Sequence, residues 1–376
     1  MTSHSTHQKK GGPLAGVRVL EIAGIGPAPF CGMLLADLGA DVVLVDKLKA
    51  GPEDLDLGPH SISNRGKRSI AVDLKTAEGV RTVLDLVEHC DVLIEGMRPG
   101  VMERLGLGPD ACLARNPKLV FGRMTGWGQS GPLAHAAGHD INYIGVSGAL
   151  WYSGQPGEAP MAPPSLVGDI GGGAMYLAVG LLAAVMSART TGQGQVVDAA
   201  IVDGSAHMMN LLLALKSAGQ FSAERGASLL DGPHWYRTYR CADGRFVSIG
   251  SLEPRFYRIL LARLGLEGDP DFAEPHDPSR WARLHERFVK IFPTRTRDAW
   301  CELLEGSDAC FAAVLDPDEA ARHPHMAHRQ VYSRIDGVLQ ANPAPRFSGT
   351  PAVPPSAVPR RGQHTAEVQQ EWSAAA

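Results

Sequence analysis

The sequence predicts an α/β protein with a doubly wound, Rossmann-like large domain and a smaller α+β domain. Three observations carry this. Strand–helix–strand units recur through the first ~130 residues, as parallel sheets covered by helices require. A long apolar segment then breaks the alternation at Ala174–Met186. Beyond residue 229 the pattern changes to a hairpin followed by amphipathic helices.

The elements follow in order. "GVRVLEIAG" (residues 16–24) is a β-rich run ending in glycine. In "PFCGMLLADLGADVVLVDK" (29–47), Phe30, Met33, Leu34 and Leu38 keep helical spacing, Gly39 stops the helix, and "DVVLVDK" is a second buried strand. "RSIAVDL" (68–74) reads as a strand, "EGVRTVLDLVEHC" (78–90) as a helix, "DVLIEG" as a strand, "GVMERLGLG" as a short helix, and "KLVFGRMTGWG" as a strand entering a glycine-rich loop. "DGPHWYRTYRCADGRFVSIGS" (231–251) reads as a hairpin with its turn at "ADG". Helices are expected near 255–265, 279–292 and 297–305. The Pro- and Ala-rich tail reads as an extended strap. The expected organisation is a disordered leader at 1–13, a large domain at 14–200, a linking helix at 201–228, a small domain at 229–325, and a strap at 326–376 returning to the large domain.

Composition narrows the function. A formal net charge of −4 gives no global pull toward nucleic acid or anionic membrane. The six cysteines form no CxxC pair, so neither a metal site nor a disulfide framework is expected, and idle thiols suit a reducing cytoplasm. The polar N-terminus lacks the apolar core of a signal peptide, and the C-terminus carries no peroxisomal or lipidation address. Ala174–Met186 is shorter than the ~20 residues of a membrane span and reads as a core helix. A cytoplasmic location follows as an expectation. After the first strand, Gly24 and Gly26 are followed by Pro27 and Pro29. That is not the dinucleotide fingerprint, which argues against a nicotinamide enzyme.

Several residues are candidates for chemistry. Asp169 stands before Gly171–Gly173 and an apolar helix in "SLVGDIGGGAMYLAVG". An N-cap explains an aspartate there. Three glycines cost a helix start stability, and make sense where something approaches the backbone closely. Bare N–H groups at a helix start suit an oxyanion. His139, in "AGHDINY", is a candidate base, because an imidazole is the side chain that needs least tuning for that role near neutral pH. Its neighbour Asp140 either orients the imidazole or anchors the loop. Glu253 precedes Pro254, which suits a helix start. Lys47, Arg98 and the "NRGKRS" run (64–69) are candidate anion contacts, because they follow strands in an open α/β sheet. A solvated charged face explains the run equally.

Six stretches together resemble the class III CoA-transferase superfamily: "PLAGVRVLEIAGIGPAPFCGMLLADLGADVVLVDK", "LIEGMRPGVMERLGLG", "RMTGWGQSGP", "AGHDINYI", "LVGDIGGGAMYLAVG" and "GQGQVVDAAIVDG". Within it they look like the α-methylacyl-CoA racemases, over about residues 14 to 350. The resemblance implies a CoA thioester substrate, no metal and no cofactor beyond the CoA of the substrate. It implies an interlocked homodimer in which one chain's small domain covers the other's site, with no nucleic-acid or membrane partner. It implies Asp169 and His139 as the acid/base pair, with Glu253 assisting His139. It places Lys47 and Arg98 on CoA phosphates, Asn64, Arg65, Lys67 and Arg68 along the nucleotide, and Tyr143 and Gly171 beside the substrate.

Two features choose between branches. Transferases of this superfamily generally lack the histidine of "GHD", and they close over an aspartyl intermediate with a glycine run where this chain reads "IGSLEPRFY". Both favour a racemase working through an enolate over the alternative, a CoA-transferase with an aspartyl-CoA intermediate on Asp169. A non-catalytic CoA-binding protein would not need both Asp169 and His139. The acyl group itself is not encoded legibly.

Overall fold

The computed structural model describes residues 11–51, 57–352 and 354–373. The expected leader therefore lies largely outside the described residues. The chain divides into two compact units: one takes residues up to Leu150, Ala162–Met208 and Gln330 onward, and the other takes Trp151–Met161 and Met209–Arg329.

The first unit is built on six parallel strands: β1 (Arg18–Ile22), β2 (Asp41–Asp46), β3 (Arg68–Ala71), β4 (Val92–Glu95), β5 (Val120–Thr125) and β6 (Gln195–Ala200). Their order is β3-β2-β1-β4-β5-β6. The order reverses between β1 and β4, which leaves a crevice at the carboxyl ends of those strands, the usual ligand position on such sheets. Strands β1 to β5 are buried along nearly their whole length because helices cover both faces, while the edge strand β6 is largely exposed up to its buried end at Ala199 and Ala200. On one face lie α1 (Pro27–Asp37) and the long helix α6 (Met175–Thr191), packed on Val19, Val42, Ile94 and Val120. On the other lie α2 (Ala77–Val87), α3 (Val101–Arg104) and α4 (Pro109–Arg115). Each predicted strand and helix of the first 130 residues overlaps one of these elements, with β3 stopping three residues and α2 three residues short of the expected ends, and α4 is additional.

Three readings need correction. Helix α6 continues from a π-helical run, Leu166–Ala174, so the helical stretch Leu166–Thr191 has 26 residues and is long and apolar enough to cross a membrane. Leu177, Leu181, Ala184 and Val185 of that stretch are nevertheless core residues of this unit. The linking helix does not reach residue 228. α7 (Ile201–Met208) and α8 (Asn210–Ser217) end at Ala218, where Gly219 takes φ 73° and the polar, glycine-bearing sequence beyond it does not continue the helix. The tail is not wholly extended. It forms the hairpin β10–β11 (Tyr332–Ile335, Val338–Ala341), an irregular stretch, and helix α14 (Thr365–Ser373), whose Val368 and Trp372 enter the first unit's core.

The second unit holds an antiparallel sheet, β7 (Tyr236–Arg240), β8 (Phe246–Gly250) and β9 (Phe311–Val314), with β7 and β8 joined across the predicted turn. Helices α9 (Pro254–Leu264), α10 (Pro278–Ile291), α11 (Arg297–Leu304), α12 (Pro317–Arg322) and α13 (Pro324–His328) complete it. Trp235, Phe288, Phe292 and Trp300 lead its core.

Candidate active site

A cavity of about 330 Å³ opens in the first unit at the reversal of strand order. Its walls are the turns that follow the strands: Ile25–Pro27 after β1, Gly96–Pro99 after β4, and Met124–Trp127 at the end of β5. His139 and Asp169 both face it, with Tyr143 and Arg98.

Two segments deliver the pair. His139 is the extended residue that opens helix α5 (Asp140–Ser147), and its N–H donates to Asn142 Oδ1 at 3.0 Å. Gly138 lets this loop press on an aromatic pair: a Cβ there would lie 2.8 Å from the Tyr143 ring and 3.2 Å from Trp127. Those rings meet edge to face at 4.8 Å, and the Tyr143 hydroxyl donates to the Gly138 carbonyl. Gly126 is equally constrained, because a side chain there would overlap the Tyr143 ring.

Asp169 sits in the π-helical run, a geometry common at functional sites. It is not the N-cap. Ser165 takes that place at φ 58°, and Ile170 N–H returns to Ser165 O at 3.0 Å. The N–H of Asp169 donates to Asp140 Oδ1 at 2.8 Å. This bond decides between the two roles left open for Asp140: it anchors the segment carrying Asp169. A Cβ at Gly168 would lie 2.4 Å from that oxygen, so the bond requires glycine there.

Burial pushes the pKa of Asp169 up. A hydrogen bond from Ser165 and the neighbouring His139 oppose the rise, while the Asp140 charge adds to it. Tyr143 is also raised, by burial first and by the Asp169 charge next.

The glycines after Asp169 do not open the backbone to a ligand. A Cβ on Gly172 would meet Ser205 N at 2.7 Å, and one on Gly173 would meet Ile201 at 3.1 Å. Gly171 faces Leu166 O and Met208 and does not line the cavity. These glycines let the π-helical run lie against α7. Bare N–H groups are found instead at the start of α5, where among the described residues Asp140 and Ile141 have no backbone acceptor.

The basic run is paired within the molecule. Lys67 Nζ lies 2.7 Å from the Glu21 carboxylate, both side chains fully buried. Arg65 grips Asp37 at 2.6 and 3.2 Å and reaches Gln340 and the Ala341 carbonyl. Arg68 binds Asp41, Glu367 and Glu371, which fastens α14 to the sheet. Each of these cations is thus matched by carboxylates of the chain itself, and Asn64 accepts from Lys67 at 3.4 Å. Lys47 and Arg98 are exposed. Glu253 belongs to the second unit, exposed at the N-cap of α9, and its side chain makes no cap hydrogen bond. Among the described residues, no group of three or more His, Cys, Asp or Glu is placed to hold a metal ion.

Trp127 and Thr125 line the cavity without having been singled out. The strand-end glycine Gly126 beside an aromatic was the available signal.

Comparison with known proteins shows the family of the chain. A family model described as CoA-transferase family III matches residues 14–365. The chain is 41% identical to the α-methylacyl-CoA racemase of Mus musculus and 39% identical to that of Homo sapiens, each over 96% of this chain and 93% of the relative. The crystal structure of a CAIB/BAIF family protein from Brucella suis superposes with a TM-score of 0.80 at 26% identity, covering 96% of this chain and all of that one. With its parallel sheet, its switch-point cavity and a family match over nearly its whole length, the chain belongs to CoA-transferase family III.

Proposed function

We propose that this protein is an enzyme that inverts the α-carbon of 2-methylacyl-CoA thioesters. The observation that carries the reading is that one cavity presents both His139 and a half-buried Asp169 whose carboxyl is held above its ordinary pKa. The two racemases at 41% and 39% identity support it.

An α-proton next to a thioester is roughly ten pK units too weak an acid for a neutral-pH base, and each unit costs about 1.4 kcal/mol. The enolate oxygen must therefore be held by fixed donors. We assign them to the start of α5, where the N–H groups of Asp140 and Ile141 follow the cavity-lining His139 in the chain. His139 then takes the proton from one epimer while neutral Asp169 returns one to the opposite face. For the other epimer the roles reverse. Asp169 needs a neutral form, and its burial shifts it in that direction.

Glu253 is assigned to assist His139, and Lys47 and Arg98 to the CoA phosphates. CoA enters as part of the substrate, and the chemistry needs no further cofactor. The working form is proposed to be a homodimer in the cytoplasm acting in lipid metabolism. Exposed apolar side chains on α6, namely Val179 and Met186, support a partner chain, and six free thiols support a reducing compartment.

The family name keeps a second reading in play, CoA transfer through an aspartyl-CoA intermediate on Asp169. One pure epimer incubated in D2O without an acceptor acid separates the two. Racemisation with uptake of deuterium at the α-carbon is expected. No racemisation, with CoA transferred to an acceptor acid once one is added and hydroxylamine trapping at Asp169, establishes the transferase instead.

A further inference from the structure

Tied to the Gly96–Pro99 wall of the cavity, and not itself lining it, is an ion-pair network that the proton-transfer chemistry does not use. Glu95 ends β4 and is completely buried. Its Oε2 accepts the Met97 N–H at 2.7 Å, and its Oε1 accepts Arg123 Nε at 2.9 Å. Arg123, on neighbouring β5, extends its fork to Glu103 on α3, with Nη1 at 2.7 Å and Nη2 at 3.3 Å. The turn between β4 and α3 is thus tied at both ends: Met97 to the strand, and α3 to Arg123. That turn, Gly96–Pro99, is one wall of the cavity and carries the exposed Arg98.

A buried carboxylate is costly unless paired and hydrogen-bonded. Burial pushes the Glu95 pKa up, and the Met97 N–H and the Arg123 charge bring it back toward the ionised form. A neutral residue would serve packing here at lower cost. What the charge adds is a fixed backbone at Met97, one residue before Arg98.

We propose that Glu95 is a positioning residue for CoA, acting through the Gly96–Pro99 turn to hold Arg98 where it meets a phosphate of the substrate. The inference rests on the CoA-thioester reading. Loss of Glu95 weakens CoA binding and raises KM, and leaves kcat nearly unchanged, because His139 and Asp169 stand on other elements.

The test is calorimetric titration of the full chain with free CoA, which requires no turnover. Wild type is expected to bind. Arg98→Ala is expected to weaken binding roughly tenfold, as loss of a charged hydrogen bond does, and Glu95→Gln about fivefold. In the Arg98→Ala background, Glu95→Gln is expected to change the affinity by less than about twofold, because coupled residues are not additive. Glu103→Gln, on the partly exposed side of the clamp, is expected to give a loss of about twofold and serves if Glu95→Gln does not fold. If wild type binds and Arg98→Ala weakens binding while Glu95→Gln does not, the positioning role is wrong and the CoA reading stands. Equal losses from Glu95→Gln with and without Arg98 also overturn it, since that is a general structural defect. A wild type that does not bind CoA removes the positioning role and the CoA reading together.

Discussion

Two charged sets of the first unit were candidates for the ligand in sequence, and the structure treats them differently. The run Asn64–Arg68 places three cations in five residues, and each is matched by carboxylates of the chain, buried for Arg65 and Lys67 and partly exposed for Arg68. The cavity set of His139, Asp169 and Arg98 is scattered over 72 residues at three strand and helix ends, and it faces open space. A paired buried charge organises the fold; a charge held at a cavity wall with its partner withheld has chemistry left to do. Charge density along the chain pointed to the first set, and convergence in space points to the second.

The largest effect that would break this contrast is at the cavity. His139→Ala is expected to lower α-proton exchange by about 10³-fold, within the range a general base contributes. The wild-type melting temperature should be retained, because His139 is exposed. Deuterium uptake by one epimer, followed by mass spectrometry, measures it. Exchange at the wild-type rate would remove the imidazole from the reaction.

The paired set predicts the opposite pattern. Lys67→Met leaves Glu21 buried and alone, which is expected to cost roughly 3–5 kcal/mol of stability. Pairing it with Glu21→Met is expected to recover most of that loss, since an apolar pair of similar volume can replace a buried ion pair. Urea unfolding reads both. CoA affinity of the folded double variant is expected to match wild type. A large loss of affinity with stability restored would return Lys67 to the ligand.

Most of the first unit was legible because its signal is local. The strands β1 to β5 are short apolar runs bounded by glycine and polar residues, and α2 keeps a regular apolar stripe. The site was legible in part. His139 and Asp169 were found from their residue types, their glycine neighbours and a family likeness. The pairings were not legible: Lys67 meets Glu21 across 46 residues, and Arg68 meets Glu371 across 303. Nothing near either residue encodes a partner so far away. Gly171–Gly173 misled for a related reason. Glycine signals close approach without saying to what, and here α7 makes the approach rather than a substrate. Helix α14 was hidden because a nine-residue helix after a proline-rich stretch has little propensity of its own and is held by Val368, Trp372 and the Arg68 clamp.

Asp140 sharpens the contrast further, because it belongs to both kinds of charge. Its Oδ1 is spent on the Asp169 N–H, and its negative charge acts on the Asp169 carboxyl. Asp140→Asn keeps an acceptor for the N–H and removes the charge. An anion beside Asp169 disfavours a second anion, so its removal lowers the Asp169 pKa. In the direction where Asp169 donates the proton, kcat/KM falls as pH rises through that pKa, and the fall is expected at lower pH in the variant. In the reverse direction, where Asp169 accepts the proton, the acid limb shifts down by the same amount. Asp140→Ala removes the acceptor as well and is expected to add a loss of about tenfold in kcat, from a loosened π-helical turn. Profiles of kcat/KM against pH for each epimer separately distinguish the two contributions. If Asp140→Asn moves neither limb, the charge of Asp140 does not tune Asp169 and its part is that of a brace alone.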